Sequence, residues 1–313
     1  MNTDGNDMKL LQELIFEKSN LASQQEVWNQ IGSVLHKKWE DLNKSVTVLA
    51  IGGNHSGKSY SLFGSTIDNE ERGLIPRFIE GLFRSSNDKG WNAKYVMMNC
   101  CIIHEEEIYD LLDPPKCYSY RGSLANSSTN DTIILPLSSP IFSSAESLEQ
   151  MFRLSLQSLA VLLSNSIDFY HNHHTIIKFQ IFDDKGTQTV TFVEIGSVYC
   201  PSKVVTSVDR FNGKSYTYRS MRAFKNCLKQ LPSLSSLASK KRMLSSSVLT
   251  YLLQTDVFLE PNVICLNCIR GYEVNTITIT VVNIIIITTT VSSYATITNT
   301  IIVRDRIKMI SYQ

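Results

Sequence analysis

The chain has 313 residues, is 43% hydrophobic and 19% charged, and carries a formal net charge of +1. It is long enough to bury a large core, as one big α/β domain or two small ones, and its composition is that of a soluble globular protein. Seven cysteines in no regular framework point to reduced thiols in a cytosolic setting, and no basic-then-apolar segment opens the chain as a secretory signal would.

Residues 1–22 read as an irregular, polar segment with a short amphipathic run at 10–16. Val27, Ile31, Val34 and Leu35 recur at helical spacing over 26–39. The β-branched run 46–51 predicts a fully buried strand, and it ends in glycines. After Gly73, Pro76 opens a helix with an apolar stripe of Phe78, Ile79, Leu82 and Phe83. A second buried strand spans 95–103, and Glu105, Glu106 and Glu107 then read as a solvated turn. Residues 114–131 read as a loop, and 146–163 as an amphipathic helix. Strands at 175–182 and 187–195 flank the turn Asp183-Asp184-Lys185-Gly186. Residues 218–231 and 246–254 read as helices and 262–269 as a strand. Residues 275–302, almost wholly Thr, Ile, Val, Ser and Asn, read as a low-complexity insertion or an edge hairpin; threonines interrupt them throughout, so they form no membrane helix.

Gly52-Gly53-Asn54-His55-Ser56-Gly57-Lys58-Ser59 satisfies the phosphate-loop pattern. The context fits, because a buried strand precedes the loop and a helix can start at Ser59. Glycines let backbone N–H groups turn toward phosphates, Lys58 reaches the β- and γ-phosphates of ATP, and Ser59 offers a hydroxyl to Mg²⁺. A second feature is charge. Residues 201–242 hold ten basic residues against the single acid Asp209, a stretch of +9 suited to docking on an acidic polymer. His171-Asn172-His173-His174 invites a zinc reading and Cys265-x-x-Cys268 a redox or zinc reading, but neither has a second set of ligands nearby in the sequence.

Around the phosphate loop the sequence resembles kinesin motor domains. The likeness runs in order through Ser23-Gln24-Gln25-Glu26-Val27-Trp28, the loop with Tyr60, Leu62 and Gly64, and Gly73-Leu74-Ile75-Pro76-Arg77. It continues through Glu106-Glu107-Ile108-Tyr109-Asp110-Leu111-Leu112, Ser247-Val248-Leu249-Thr250-Tyr251-Leu252-Leu253, and Asp305-Arg306-Ile307-Lys308, similar to the family's last helix. The resemblance implies one motor domain over 23–313, an α/β P-loop NTPase with a central mixed, mostly parallel sheet and helices on both faces. It also implies ATP and Mg²⁺ as cofactors, and microtubules bound through Lys214, Lys240, Lys241 and Arg242. Location on the cytoskeleton in the cytoplasm follows, with no nucleic-acid or membrane partner. No coiled-coil heptads speak to oligomeric state.

Departures from the family are equally specific. Its first strand, with Arg-x-Arg-Pro, has no counterpart near the N-terminus. Its first switch, Asn-x-x-Ser-Ser-Arg-Ser-His, aligns with 167–174 and keeps only His174. Its second switch, Asp-Leu-Ala-Gly-Ser-Glu, aligns from Glu194, the one catalytic candidate, which is a methylene longer than aspartate; the closing glutamate falls on Val198 or Tyr199. Two functions follow by resemblance: a motor domain with weak ATP hydrolysis, or an inactive pseudo-motor serving as a binding module.

Overall fold

The computed structural model describes residues 12–15, 23–40, 45–53, 56–65, 71–84, 91–114, 116–119, 137–165, 173–184, 186–197, 214–259, 262–270 and 296–305. The described strands form one ten-stranded sheet, ordered β1 (Gln12–Ile15), β10 (Thr296–Asp305), β9 (Asn262–Arg270), β2 (Val46–Gly52), β8 (Gly186–Glu194), β7 (His173–Asp183), β3 (Tyr95–His104), β4 (Glu107–Asp110) and β5 (Cys117–Ser119). The short β6 (Ile141–Phe142) pairs with β3. The sheet is mixed. Its four parallel pairings gather around β2, β9 and β10, and the five antiparallel ones come from the β7–β8 hairpin and the strands beyond it.

Helices cover both faces because the strands are apolar on both. Val48, Cys100, Ile177, Phe192 and Ile264 point into one cluster with Ile31 of α1 (Gln24–Glu40), Phe78 of α3 (Leu74–Leu82) and Phe152 of α4 (Ala145–Asn165). Their neighbours Leu49, Cys101, Ile176, Val193 and Val263 point into another, with Phe224 of α5 (Lys214–Gln230) and Val248 and Leu249 of α7 (Val248–Leu252). Cys268 joins the first cluster, while buried Cys265, three residues earlier in β9, alternates to the opposite face, which gives no support to a shared metal or redox role for the pair.

Several expectations need correction. Residues 12–15, inside the segment read as irregular, form β1, and 117–119, inside the segment read as a loop, form β5. Residues 296–302 belong to β10, which sits between β1 and β9 rather than at an edge; β-branched residues suit a strand paired on both sides. Residues 275–295 lie outside the described residues. Asp305 closes that strand rather than opening a helix; Arg306, Ile307 and Lys308, the rest of the expected last-helix motif, are outside the described residues. The sequence also gave no sign of α6 (Leu237–Leu244) or of the π-helical turn Gln254–Leu259.

The Glu105–Glu106 turn is more than a solvated link. Both residues have positive φ (52° and 65°), the two-residue geometry that suits the twist of a hairpin. The Glu106 carboxylate then accepts the Val248 N–H at 2.6 Å, capping α7 from 142 positions away. Ser247 caps the same helix locally through Thr250.

Candidate functional site

The parallel register sets the site. Ala50 of β2 is level with Glu194 of β8, and Gly52 is level with Cys268 of β9, so all three strands end at one sheet edge. Open α/β sheets bind ligands at such carboxyl ends. There β2 runs through Gly52 and Gly53 into Ser56, left-handed Gly57 (φ 92°) and the short helix α2 (Lys58–Phe63). A Cβ at Gly52 would strike the Cys268 carbonyl and the Ser56 hydroxyl, so only glycine fits the turn.

Lys58 is 5% exposed. Its ammonium donates to Gly52 O at 3.1 Å, Gly53 O at 2.8 Å and Ser197 Oγ at 2.7 Å, folding back over the loop that a phosphate would occupy. Ser59 Oγ donates to Glu194 Oε1 at 2.6 Å. Buried Ser56 Oγ has no hydrogen-bond partner among the described residues. An orphaned hydroxyl, a folded-back ammonium and a glycine turn are a donor set that fits polyphosphate; Ser59 and Glu194 add hard oxygens that fit Mg²⁺. Asn54 and His55 lie outside the described residues.

His174 joins this edge to α5. It is buried, and its Nδ1 accepts the Gly196 N–H at 2.9 Å, so the ring proton sits on Nε2 and is donated to Ser220 Oγ at 2.7 Å. Burial first, then His173, His104 and Lys58 nearby, push its pKa down to about 3. The folded-state value is depressed, so the unfolded chain takes up the proton first and this stability is lost as pH falls through 6.5. We expect urea unfolding to show about 1.4 kcal/mol less stability from this group at pH 5.5 than at pH 7.5. His174→Gln should flatten that difference; an unchanged pH slope would place the loss elsewhere.

The structure thus brings Gly52, Gly53, Ser56, Gly57, Lys58, Ser59 and Glu194 together. Lys240, Lys241 and Arg242 lie apart on α6, where Lys241 and Arg242 are exposed and Lys240 half-buried; Lys214 is the first residue of α5. His171, Asn172, Val198 and Tyr199 are outside the described residues. His173 and His174 are adjacent strand residues, and among the described residues no group of three or more His, Cys, Asp or Glu could hold a metal, so the zinc reading has no support there. The sequence reading placed Ser197 in the altered second switch without a partner for it and missed Ser220; their partners are 139 and 46 positions away.

Fold and site together define an α/β protein of the P-loop NTPase type. A family model, "Kinesin motor domain", matches residues 12–280, and the chain belongs to that family. It is similar to the kinesin-like protein KIN-14N of Oryza sativa subsp. japonica, at 27% identity over 77% of this chain and 32% of the relative. It is also similar to KIN-14D of Arabidopsis thaliana, at 32% identity over 35% of this chain and 14% of the relative. The chain therefore spans a third or less of either relative. A solved structure of a fast kinesin superposes with a TM-score of 0.70 at 20% identity, covering 88% of this chain and 79% of that one, which shows the shared fold.

Proposed function

We propose that this chain binds Mg-ATP in its phosphate loop and docks on microtubules, with slow or absent hydrolysis. The observation that carries the reading is the Lys58 ammonium lying over the loop, beside the Ser59–Glu194 pair. Lys58 would hold the β- and γ-phosphates in place of its loop carbonyls, and the Ser56 hydroxyl, which has no partner among the described residues, could join it. Ser59 would hold Mg²⁺, which when bound neutralises phosphate charge during phosphoryl transfer. The chain's own residues bind and orient. What they lack is the set of hydroxyls and the closing ion pair that position a water, since 167–174 and 194–199 have lost them. That loss also favours a second reading, a nucleotide-binding pseudo-motor that docks without turnover.

Docking is supported by α5 and α6. No acid occurs between Asp209 and Asp256, so Arg222, Lys229, Lys241 and Arg242 are exposed with no acid of their own helices to offset them. Such a face suits an acidic polymer, and the kinesin family points to tubulin on the cytoskeleton. Co-sedimentation with microtubules should weaken steeply as salt rises, and reversing Lys240, Lys241 and Arg242 to glutamate should cut it at least tenfold at low salt. Salt-insensitive pelleting, or none at low salt, would remove microtubules as the partner. Among the described residues no helix is long and apolar enough to cross a membrane.

A further inference from the structure

Helices α1 and α3 pack on the same face of the sheet and leave between them a groove of about 590 Å³, the size of a small-molecule site. A glycine of each helix shapes it. A Cβ at Gly32 would crowd the Trp28 ring at 3.1 Å, and one at Gly81 would strike Cζ3 of Trp91. Glycine inside a helix is unfavourable, and here it lets an indole lie against each helix backbone. His36 stacks on Trp91 with ring centroids 4.1 Å apart. The half-buried rings of Trp28 and His36 then line the groove with aromatic surface.

Its polar lining favours an acceptor. Two guanidiniums, Arg77 and Arg84, face one carboxylate, Glu80, and that carboxylate is shared between Arg84 and Arg72. Gln25 Oε1 accepts from Arg77 at 2.5 Å, and Asn29 Oδ1 from Gln25 at 2.8 Å. Each side-chain carbonyl or carboxylate oxygen of the lining therefore has a donor already. One donor is in the opposite position. Trp91 is 2% exposed, its N–H lies across the ring from Cζ3, and Nε1 has no hydrogen-bond partner among the described residues. Leaving a buried donor unpaired costs free energy that an entering acceptor recovers. Burial first, then Arg72, push the Arg77 pKa down, so that cation also gains from an anion brought close.

We propose that the α1–α3 groove binds a small aromatic acid, with its ring against Trp28 and His36 and its carboxylate at Arg77 and Arg84. Flat rings pack well on aromatic side chains, and a guanidinium meets a carboxylate with two parallel hydrogen bonds. None of the lining residues belongs to the phosphate loop, so the site is separate from the nucleotide site and stands or falls without it.

The probe is 2-naphthoate, with its uncharged amide as control and titration calorimetry as readout. One naphthoate should bind per chain with a Kd below about 1 mM, and the amide about tenfold more weakly. Arg84 is exposed at the rim, and Arg84→Ala should weaken naphthoate about tenfold while leaving the amide within about twofold. Ser33→Phe, which fills the groove from an exposed position of α1, should abolish binding of both. Excess ATP should displace neither. The proposal is overturned by any of four results: no saturable binding, equal affinity for acid and amide, full affinity in Ser33→Phe, or displacement by ATP. Should Ser33→Phe not fold, undiminished naphthoate affinity in Arg84→Ala overturns it as well.

Discussion

Lys58→Ala should lower the affinity for a fluorescent ATP analogue by at least about a hundredfold. Two charge-assisted hydrogen bonds to phosphate are worth about 3–6 kcal/mol together, enough for that loss and more. The fold should survive, because Lys58 lies at the end of the loop and its ammonium donates to two loop carbonyls and the Ser197 hydroxyl. Water can take over those acceptors once the lysine is gone, so the thermal midpoint should move by only a few degrees. The clean result is a folded protein that no longer binds. Equal affinity in the variant and the parent would remove the phosphate loop as the nucleotide site.

Turnover is the second large effect. In-line attack needs a positioned water and donors around the γ-phosphate, and each lost donor of this kind costs about 10²–10³ in rate. The chain has His171, Asn172 and His173 where the family has Ser, Arg and Ser, and Glu194 and Tyr199 where it has Asp and Glu. An imidazole reproduces neither the reach nor the small volume of a hydroxyl. Microtubules should therefore stimulate ATP hydrolysis poorly or not at all while ATP still binds. Combining His171→Ser, Asn172→Arg, His173→Ser, Glu194→Asp and Tyr199→Glu should raise the stimulated rate by about two orders of magnitude or more. Brisk turnover by the parent would mean that other residues do this work.

Much of the frame could be read from residue order. The run 46–51 followed by glycines, lysine and serine fixed a strand, a phosphate loop and a helix start, all at the site observed. The two-faced strands were legible as continuous apolar runs, and the β7–β8 turn as Asp-Asp-Lys-Gly, where Gly186 takes φ 144° and donates to Asp183 at 2.9 Å. What could not be read depends on partners far along the chain. Ser197 has no local signature as a lysine acceptor, and Glu106 looks like any turn acid until α7 arrives beside it. His174 was legible only as a survivor of a degraded motif; its two hydrogen bonds to Gly196 and Ser220 exist because β7, β8 and α5 converge. Residues 296–302, the first seven of β10, carry strand propensity without an address, so composition alone left them as an insertion or an edge hairpin.

That strand also governs the order in which the protein can be assembled. β10 is hydrogen-bonded to β9 on one side and β1 on the other, so the first described strand has no neighbour until residues 296–305 have been synthesised. On a ribosome, the half of the sheet from β2 to β5 can form from the segments between 46 and 194, while Gln12–Ile15 waits. Loops of such length close slowly, and the waiting edge of β9 is an open template for other extended chains. Folding yield should thus be controlled at this one seam, by how fast a Thr- and Ile-rich strand claims its slot before a second molecule does.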